Sequence, residues 1–124
     1  MKDLKSKIDA VTSIAPAAIT ATVTGAGVNI LGYESALVLI TPGTITDGTH
    51  TPKLQESDDD STYTDVAAAD LHGAFAAISS DTPQKVGYKG IKGYLRVVST
   101  VAGASTGGVY SAHIVRGNAH LQPL

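Results

Sequence analysis

Apolar and polar positions alternate without a break over residues 18–24, with Ile19, Ala21 and Val23 on one face and Thr20, Thr22 and Thr24 on the other. A period of two with β-branched residues on the polar face predicts a half-buried strand. Gly25-Ala26-Gly27 then predicts a turn, residues 28–31 resume the strand pattern, and Gly32 breaks it again. Residues 36–40 form a continuous apolar run of strand length, which predicts a strand covered on both faces. Pro42-Gly43 and Asp47-Gly48 are turn signals. Residues 49–56 read as a strand that Pro52 assigns to an edge or a bulge. A polar hairpin loop at 57–61 and a return strand at 63–66 follow. Three further strands are predicted at 84–88, 94–101 and 109–116. The second of them alternates cleanly, with Leu95, Val97, Ser99 and Val101 opposite Tyr94, Arg96, Val98 and Thr100. Residues 67–78 are divided: their alanines favour helix, whereas Gly73 and the surrounding strands oppose a long one.

About eight short strands punctuated by glycines predict an all-β fold, an antiparallel β-sandwich or jelly roll. Ahead of it, Leu4, Ile8, Val11 and Ile14 recur at spacings of three and four in a mixed-charge leader. That spacing predicts an N-terminal arm or short amphipathic helix over residues 1–17, ended by Pro16, with 18–124 as a single β-sandwich domain.

Composition narrows the function. The chain has 124 residues, a net charge of −2, 16% charged residues and no run of Lys or Arg, which argues against a coiled coil, a charged disordered tail and a basic nucleic-acid domain. No apolar stretch reaches the roughly 18 residues of a membrane helix, and the first residues lack the apolar core of a secretory signal. The absence of Cys excludes disulfides, thiolate metal sites and cysteine catalysis. Aromatics are only 5%, with one Phe and no Trp, so the core is thin for the length. Burial at neighbouring subunits is the expected supplement.

Candidate chemistry is sparse. Asp58-Asp59-Asp60 with Ser61 and Asp65 invites comparison with a calcium loop, but the template's Gly is missing at its sixth position and Ala69 stands where the closing Glu belongs. His50, His72, His113 and His120 lack ligand spacing. Gly25-Ala26-Gly27 lacks the third glycine of a dinucleotide fingerprint and precedes a strand. Ser105 lies between strands, unlike a nucleophile elbow. Lys85, Lys89, Lys92, Tyr88, Tyr94 and Arg96 interleave cations and aromatics. That is a small footprint for single-stranded nucleic acid and an equal fit to an acidic protein neighbour or a solvated loop. The expectation is no enzyme, no cofactor and no metal.

The order of motifs resembles a known family. The segment GVNILGYESALVLITPGTITDGTHTPKLQESDDDSTYTDVAAADL, followed by KVGYKGIKGYLRVVSTVAGASTGGVYSAHIVRG, is similar to small tailed-bacteriophage and prophage virion proteins encoded near the major capsid protein. The likeness runs from SKIDAVTSIAPAA onward. Its most specific pieces are the acidic hairpin, the GYKGIKGYLRVV strand and the terminal strand ending at Arg116-Gly117. The resemblance implies a structural virion protein, a head decoration or cement protein on the outer capsid surface, made in the bacterial host cytoplasm. Its implied partners are the major capsid protein and itself as a dimer or trimer, with no direct nucleic acid or membrane contact. The expected contact residues are Leu4, Ile8, Val11 and Ile14 of the arm with Tyr33, Tyr88 and Tyr94 of the loops. The alternatives are a head–tail connector, head-completion or tail protein, and a carbohydrate-binding β-sandwich.

Overall fold

The alternating segments form ten strands in the computed structural model, which describes residues 3–119. They are β1 (Ile8–Ile19), β2 (Val23–Thr24), β3 (Val28–Asn29), β4 (Tyr33–Ile45), β5 (Thr49–Ser57), β6 (Thr64–Asp65), β7 (Leu71–His72), β8 (Gln84–Tyr88), β9 (Tyr94–Ala102) and β10 (Gly108–Ala119). One sheet runs β1-β10-β4-β8-β7 and the other β2-β9-β5-β6, with β3 also on β9. Every pairing is antiparallel, as an all-β sandwich requires. The count exceeds eight because four of the strands are two-residue pieces.

Alternation aims Val38, Ile40, Tyr110, Ala112 and Ile114 of the first sheet at Leu54, Leu95 and Val97 of the second, all nearly free of solvent. Each buried Leu or Ile stabilises the fold by about 1.5–3 kcal/mol. Residues 36–40 are a central strand, but only one face is covered: Val38 and Ile40 are buried, whereas Leu37 and Leu39 are half-buried on the outer face. The uniform apolar run concealed that difference.

A polar chain crosses this core. The Tyr110 hydroxyl lies 2.9 Å from His50 Nδ1 and 2.8 Å from Ser99 Oγ, and His50 Nε2 lies 3.0 Å from the Asp47 carbonyl. A carbonyl only accepts, so Nε2 carries the imidazole proton and Nδ1 accepts from Tyr110, whose oxygen accepts from Ser99. The rings meet edge to face at 5.2 Å. Every member of the chain is therefore satisfied, and burial pushes the Tyr110 phenol above its ordinary range.

Residues 8–19 are neither arm nor helix. They form β1, hydrogen-bonded along β10 from Ile8↔Gly117 to Ile19↔Gly108, so the expected boundary at residue 17 falls inside a strand. Of the register shifts at Thr12/Ile14 and Ile14/Ala17, the first explains the three-residue step from Val11 to Ile14. A bulge changes the phase of alternation, which turns Ser13 and Ile14 inward in succession. Pro16 falls between these paired positions, where no ladder bond is lost. The second half of the expected strand at 18–24 crosses over: Ile19 ends β1, and Val23 starts the opposite sheet.

Residues 25–27 are more than a turn. Gly25 donates to the Val97 carbonyl at 2.8 Å and Ala26 donates to the Ser13 carbonyl at 2.7 Å, so the segment stitches β1 to β9. Ser13 Oγ accepts from the Val97 amide at 3.0 Å and donates to the Ala26 carbonyl at 2.9 Å. A Cβ on residue 25 would fall within 2.8 Å of both the Val97 and Ser13 carbonyl oxygens, so glycine is required there. Residues 67–78 hold a single 3-10 turn, Ala68–Asp70, and the two-residue β7, and are otherwise irregular. Ile78 is buried there and donates to the His50 carbonyl at 2.8 Å.

At the far end of the sandwich the Asp47 carboxylate accepts from the amides of Ser105, Thr106 and Gly107, at 2.6 Å from the last. These amides, Gly107 foremost, hold its pKa below the ordinary 3.8. A carboxylate lowered on folding stabilises the fold fully above its unfolded value, and that contribution is lost as pH falls through the folded one. Asp47→Asn is therefore expected to lower the melting temperature at pH 7. It should also flatten the loss of stability that calorimetry records for the native chain below about pH 4. Tyr110→Phe strands His50 Nδ1 and the Ser99 hydroxyl and is expected to cost about 1–3 kcal/mol in chemical denaturation, with the fold retained.

Candidate contact surface

Register places the ends of seven strands at one end of the sandwich. β4 begins there at Tyr33, paired to Ala119; β1 begins at Ile8, paired to Gly117; β8 ends at Tyr88, paired to Ala36; β9 begins at Tyr94, paired to Ser57 and Asn29. This pole gathers Leu4 at 63% exposure, Leu31 at 62%, Ile91 at 95% and Ile8 at 36%. Of the exposed large apolar residues among those described, only Val109 lies elsewhere. A cluster of that kind at one end of a small sandwich makes the pole the candidate contact surface, which scattered single residues would not.

The geometry of the pole is built by short contacts beneath it. The Tyr88 hydroxyl donates to Glu56 at 2.7 Å and accepts from the Lys92 amide at 3.1 Å, which draws the 89–93 loop over the end of the core. Burial first, then the Glu56 bond, pushes the Tyr88 phenol far above its usual range. Gly90 lies flat on the Tyr88 ring, where a Cβ would come within 2.7 Å of a ring carbon. Beside this loop, residues 30–36 close a hollow of about 230 Å³ whose walls include Leu31, Tyr33, Ile91 and Lys92. Arg116 lies over the Tyr33 ring at 4.4 Å, pairs with Asp9 and donates to the Asn29 carbonyl at 2.8 Å. One guanidinium thus ties the first strand, the last strand and the opposite sheet.

The expected contact residues divide. Leu4, Ile8, Tyr33 and Tyr94 come together at the pole, the first two exposed and the tyrosines half-buried. Ile14 is a core residue at 3% exposure, turned inward by the bulge, and Val11 packs on the same core. Tyr88 reaches the pole only through its hydroxyl, because its ring is buried at 9%. Leu31 and Ile91 are the prominent apolar tips, yet sequence reasoning missed them. Each abuts a glycine, in Leu31-Gly32 and Gly90-Ile91, and an apolar residue in a glycine-broken turn is the signal that would have found them.

The acidic hairpin lies at the same pole with its carboxylates already engaged. Asp58 pairs with Lys92 at 2.8 Å; Asp60 accepts from the Tyr63 hydroxyl; Asp59 accepts from the Ser61 and Thr62 amides and the Ser57 hydroxyl. Those bonds, the Thr62 amide foremost, lower the Asp59 pKa. Burial first, then Asp60, pushes the Tyr63 phenol up to about 12. The basic and aromatic segment does not form a patch. Lys85 points from the outer face of β8, Lys92 pairs with Asp58, and Arg96 lies on the Tyr63 ring at 4.1 Å. His50 is buried, His72 lies on β7, and His113 bonds Thr12 and Ser111 at 3.2 Å. His120 falls outside the described residues. Among the described residues no three His, Asp or Glu groups could share a metal ion.

No family model and no curated protein matches the chain. Among solved structures it is similar to the SPBc2 prophage-derived protein YomS, with a TM-score of 0.54 and 18% identity over 89% of this chain and 93% of that one. The infectious bursal disease virus Gx strain structure gives a TM-score of 0.46 and 14% identity, over 94% of this chain and 34% of that one. At 18% identity the likeness to the prophage-derived protein is one of fold.

Gly90→Ala forces a methyl group into the Tyr88 ring, and overpacking of this kind costs about 1–3 kcal/mol. The variant is expected to melt earlier and to shift the amide resonances of residues 88–93, with those around Asp47 unchanged.

Proposed function

We propose that this chain is a structural virion protein of a tailed bacteriophage, a decoration protein that docks on the outer surface of the head and stabilises contacts between major capsid subunits. The observation that carries the reading is the apolar pole, where Leu4, Ile8, Leu31 and Ile91 stand exposed around Tyr33. Such a surface is a cost to a protein acting alone and an anchor to one that assembles. The fold shared with a prophage-derived protein and the motif resemblance to phage virion proteins support the same reading. Loops at the pole are pinned from below by Tyr88 and Arg116, so little ordering entropy opposes docking. Repetition on a symmetric lattice lets each contact be modest, because many copies bind together.

The test is co-sedimentation of the purified protein with heads lacking it. Replacing Leu31 and Ile91 by Ser removes two apolar anchors of about 1.5–3 kcal/mol each, so attachment is expected to weaken about tenfold or more at unchanged melting temperature. Native attachment by the double variant would remove the pole from the mechanism. Copy number on tail-free heads decides the role: hundreds support decoration, a single ring of copies moves the protein to the connector, and absence overturns the virion reading.

A further inference from the structure

Among the described residues, the sheet edges of this molecule are guarded with one exception. The β9 edge is lined by residues 23–29, which pair with it through Val23, Thr24, Gly25, Val28 and Asn29. The β5 edge carries β6, Pro52 and amide bonds from Val66 to the Leu54 carbonyl and from Ile78 to the His50 carbonyl. On β8 and β4 the edge is met by β7, by Gln84 bonded to Ala76, and by Asp81 bonded to the Gly43 carbonyl. The second half of β1 is blunted by Pro16 and by Ala26 on the Ser13 carbonyl. Among the described residues, only 8–12 of β1 combine strand length with an open flank, and Ile8, Ala10 and Thr12 are exposed along it. Proteins that act alone rarely leave such an edge, because unpaired amides and carbonyls template another strand.

We infer that residues 8–12 of β1 pair antiparallel with the same residues of a second copy about a two-fold axis at Ala10, joining the two β1-edged sheets into one. The register follows by elimination. Keeping the inner and outer faces of the two sheets continuous requires the axis to pass through a residue, not between two. An axis at Asp9 opposes two like charges. An axis at Ile8 needs residues 4–7 extended, yet Lys7 donates to the Leu4 carbonyl in a turn. An axis at Val11 or Thr12 runs into the bulge, where Ser13 is already engaged. At Ala10 the pairs are Ile8 with Thr12, Asp9 with Val11 and Ala10 with itself, so no charge faces its like. Asp9 keeps its Arg116 partner. An isologous contact of this kind closes as a dimer. It supplies the self-contact that the proposed capsid role calls for, but it is tested without heads, so either idea can fail alone.

The chain contains no Cys, which makes single-cysteine trapping unambiguous. Directly opposed residues in an antiparallel pair have Cα atoms about 4.5–5.5 Å apart, within disulfide reach. Under mild oxidation Ala10→Cys is expected to convert to a disulfide dimer. Thr12→Cys alone should stay monomeric but should cross-link when mixed with Ile8→Cys. Light scattering of the unmodified protein at rising concentration should show mass approaching twice the monomer, and Ala10→Glu should abolish that rise at unchanged melting temperature. Equal trapping of Thr12→Cys and Ala10→Cys, or a mass that stays at the monomer throughout, would overturn the proposal.

Discussion

A single buried phenol holds the two sheets in register. Tyr110 projects from β10, the second strand of one sheet, between His50 and Ser99 of the other, and its hydroxyl is both donor and acceptor in a chain that ends on the Asp47 carbonyl. A core with one Phe and no Trp has little bulk with which to resist sliding of one sheet over the other. Directional bonds in a dry interior supply the specificity that apolar contacts alone leave loose. The chain also connects to the periphery. Asp47, whose carbonyl receives His50, uses its carboxylate to gather the loop between β9 and β10, so core and far loop are set by one residue.

Two smaller seams complete the architecture. Ser13 and residues 25–26 stitch the bulge of β1 to β9, and Arg116 joins Asp9, Tyr33 and Asn29 at the opposite end. Both act on β1, which is an edge strand with a neighbour on one side only. Its inner face is therefore anchored by side chains where a ladder bond is lacking. The result is an edge held rigidly in place over its first five residues while its outward groups stay open.

Much of this was legible in the chain. Strict alternation identified β9 to the residue pattern, and Asp47-Gly48 located the turn between β4 and β5, whereas Pro42-Gly43, read as a turn, lies inside β4, where the chain runs on as strand to Ile45. The N-terminal segment was misread because Ile8 stands on the outer face while Val11 and Ile14 turn inward across the bulge after Thr12, and nothing local distinguishes those steps of three from a helical period. The exposed pole was half legible. Tyr33 and Tyr94 lie at the pole as their turn context suggests, whereas Tyr88 turned inward because it ends a strand facing the core. His50 showed no sign of its role, because its side-chain partner Tyr110 stands 60 residues away in β10. Long-range pairs of that kind leave no trace in a short window.

The first and last long strands are antiparallel neighbours, and Ile8 and Gly117 face each other at the same pole. Tension applied through the two ends of the chain therefore meets the β1–β10 ladder in the peeling direction, and its bonds open one after another instead of bearing load together. Arg116, paired with Asp9 one step in from that mouth, is the first bolt such a force must draw. A push against this pole runs along the strands, perpendicular to those bonds, and does not open them one by one. Mechanical strength in this molecule is thus directional: weakest to a pull that parts its ends.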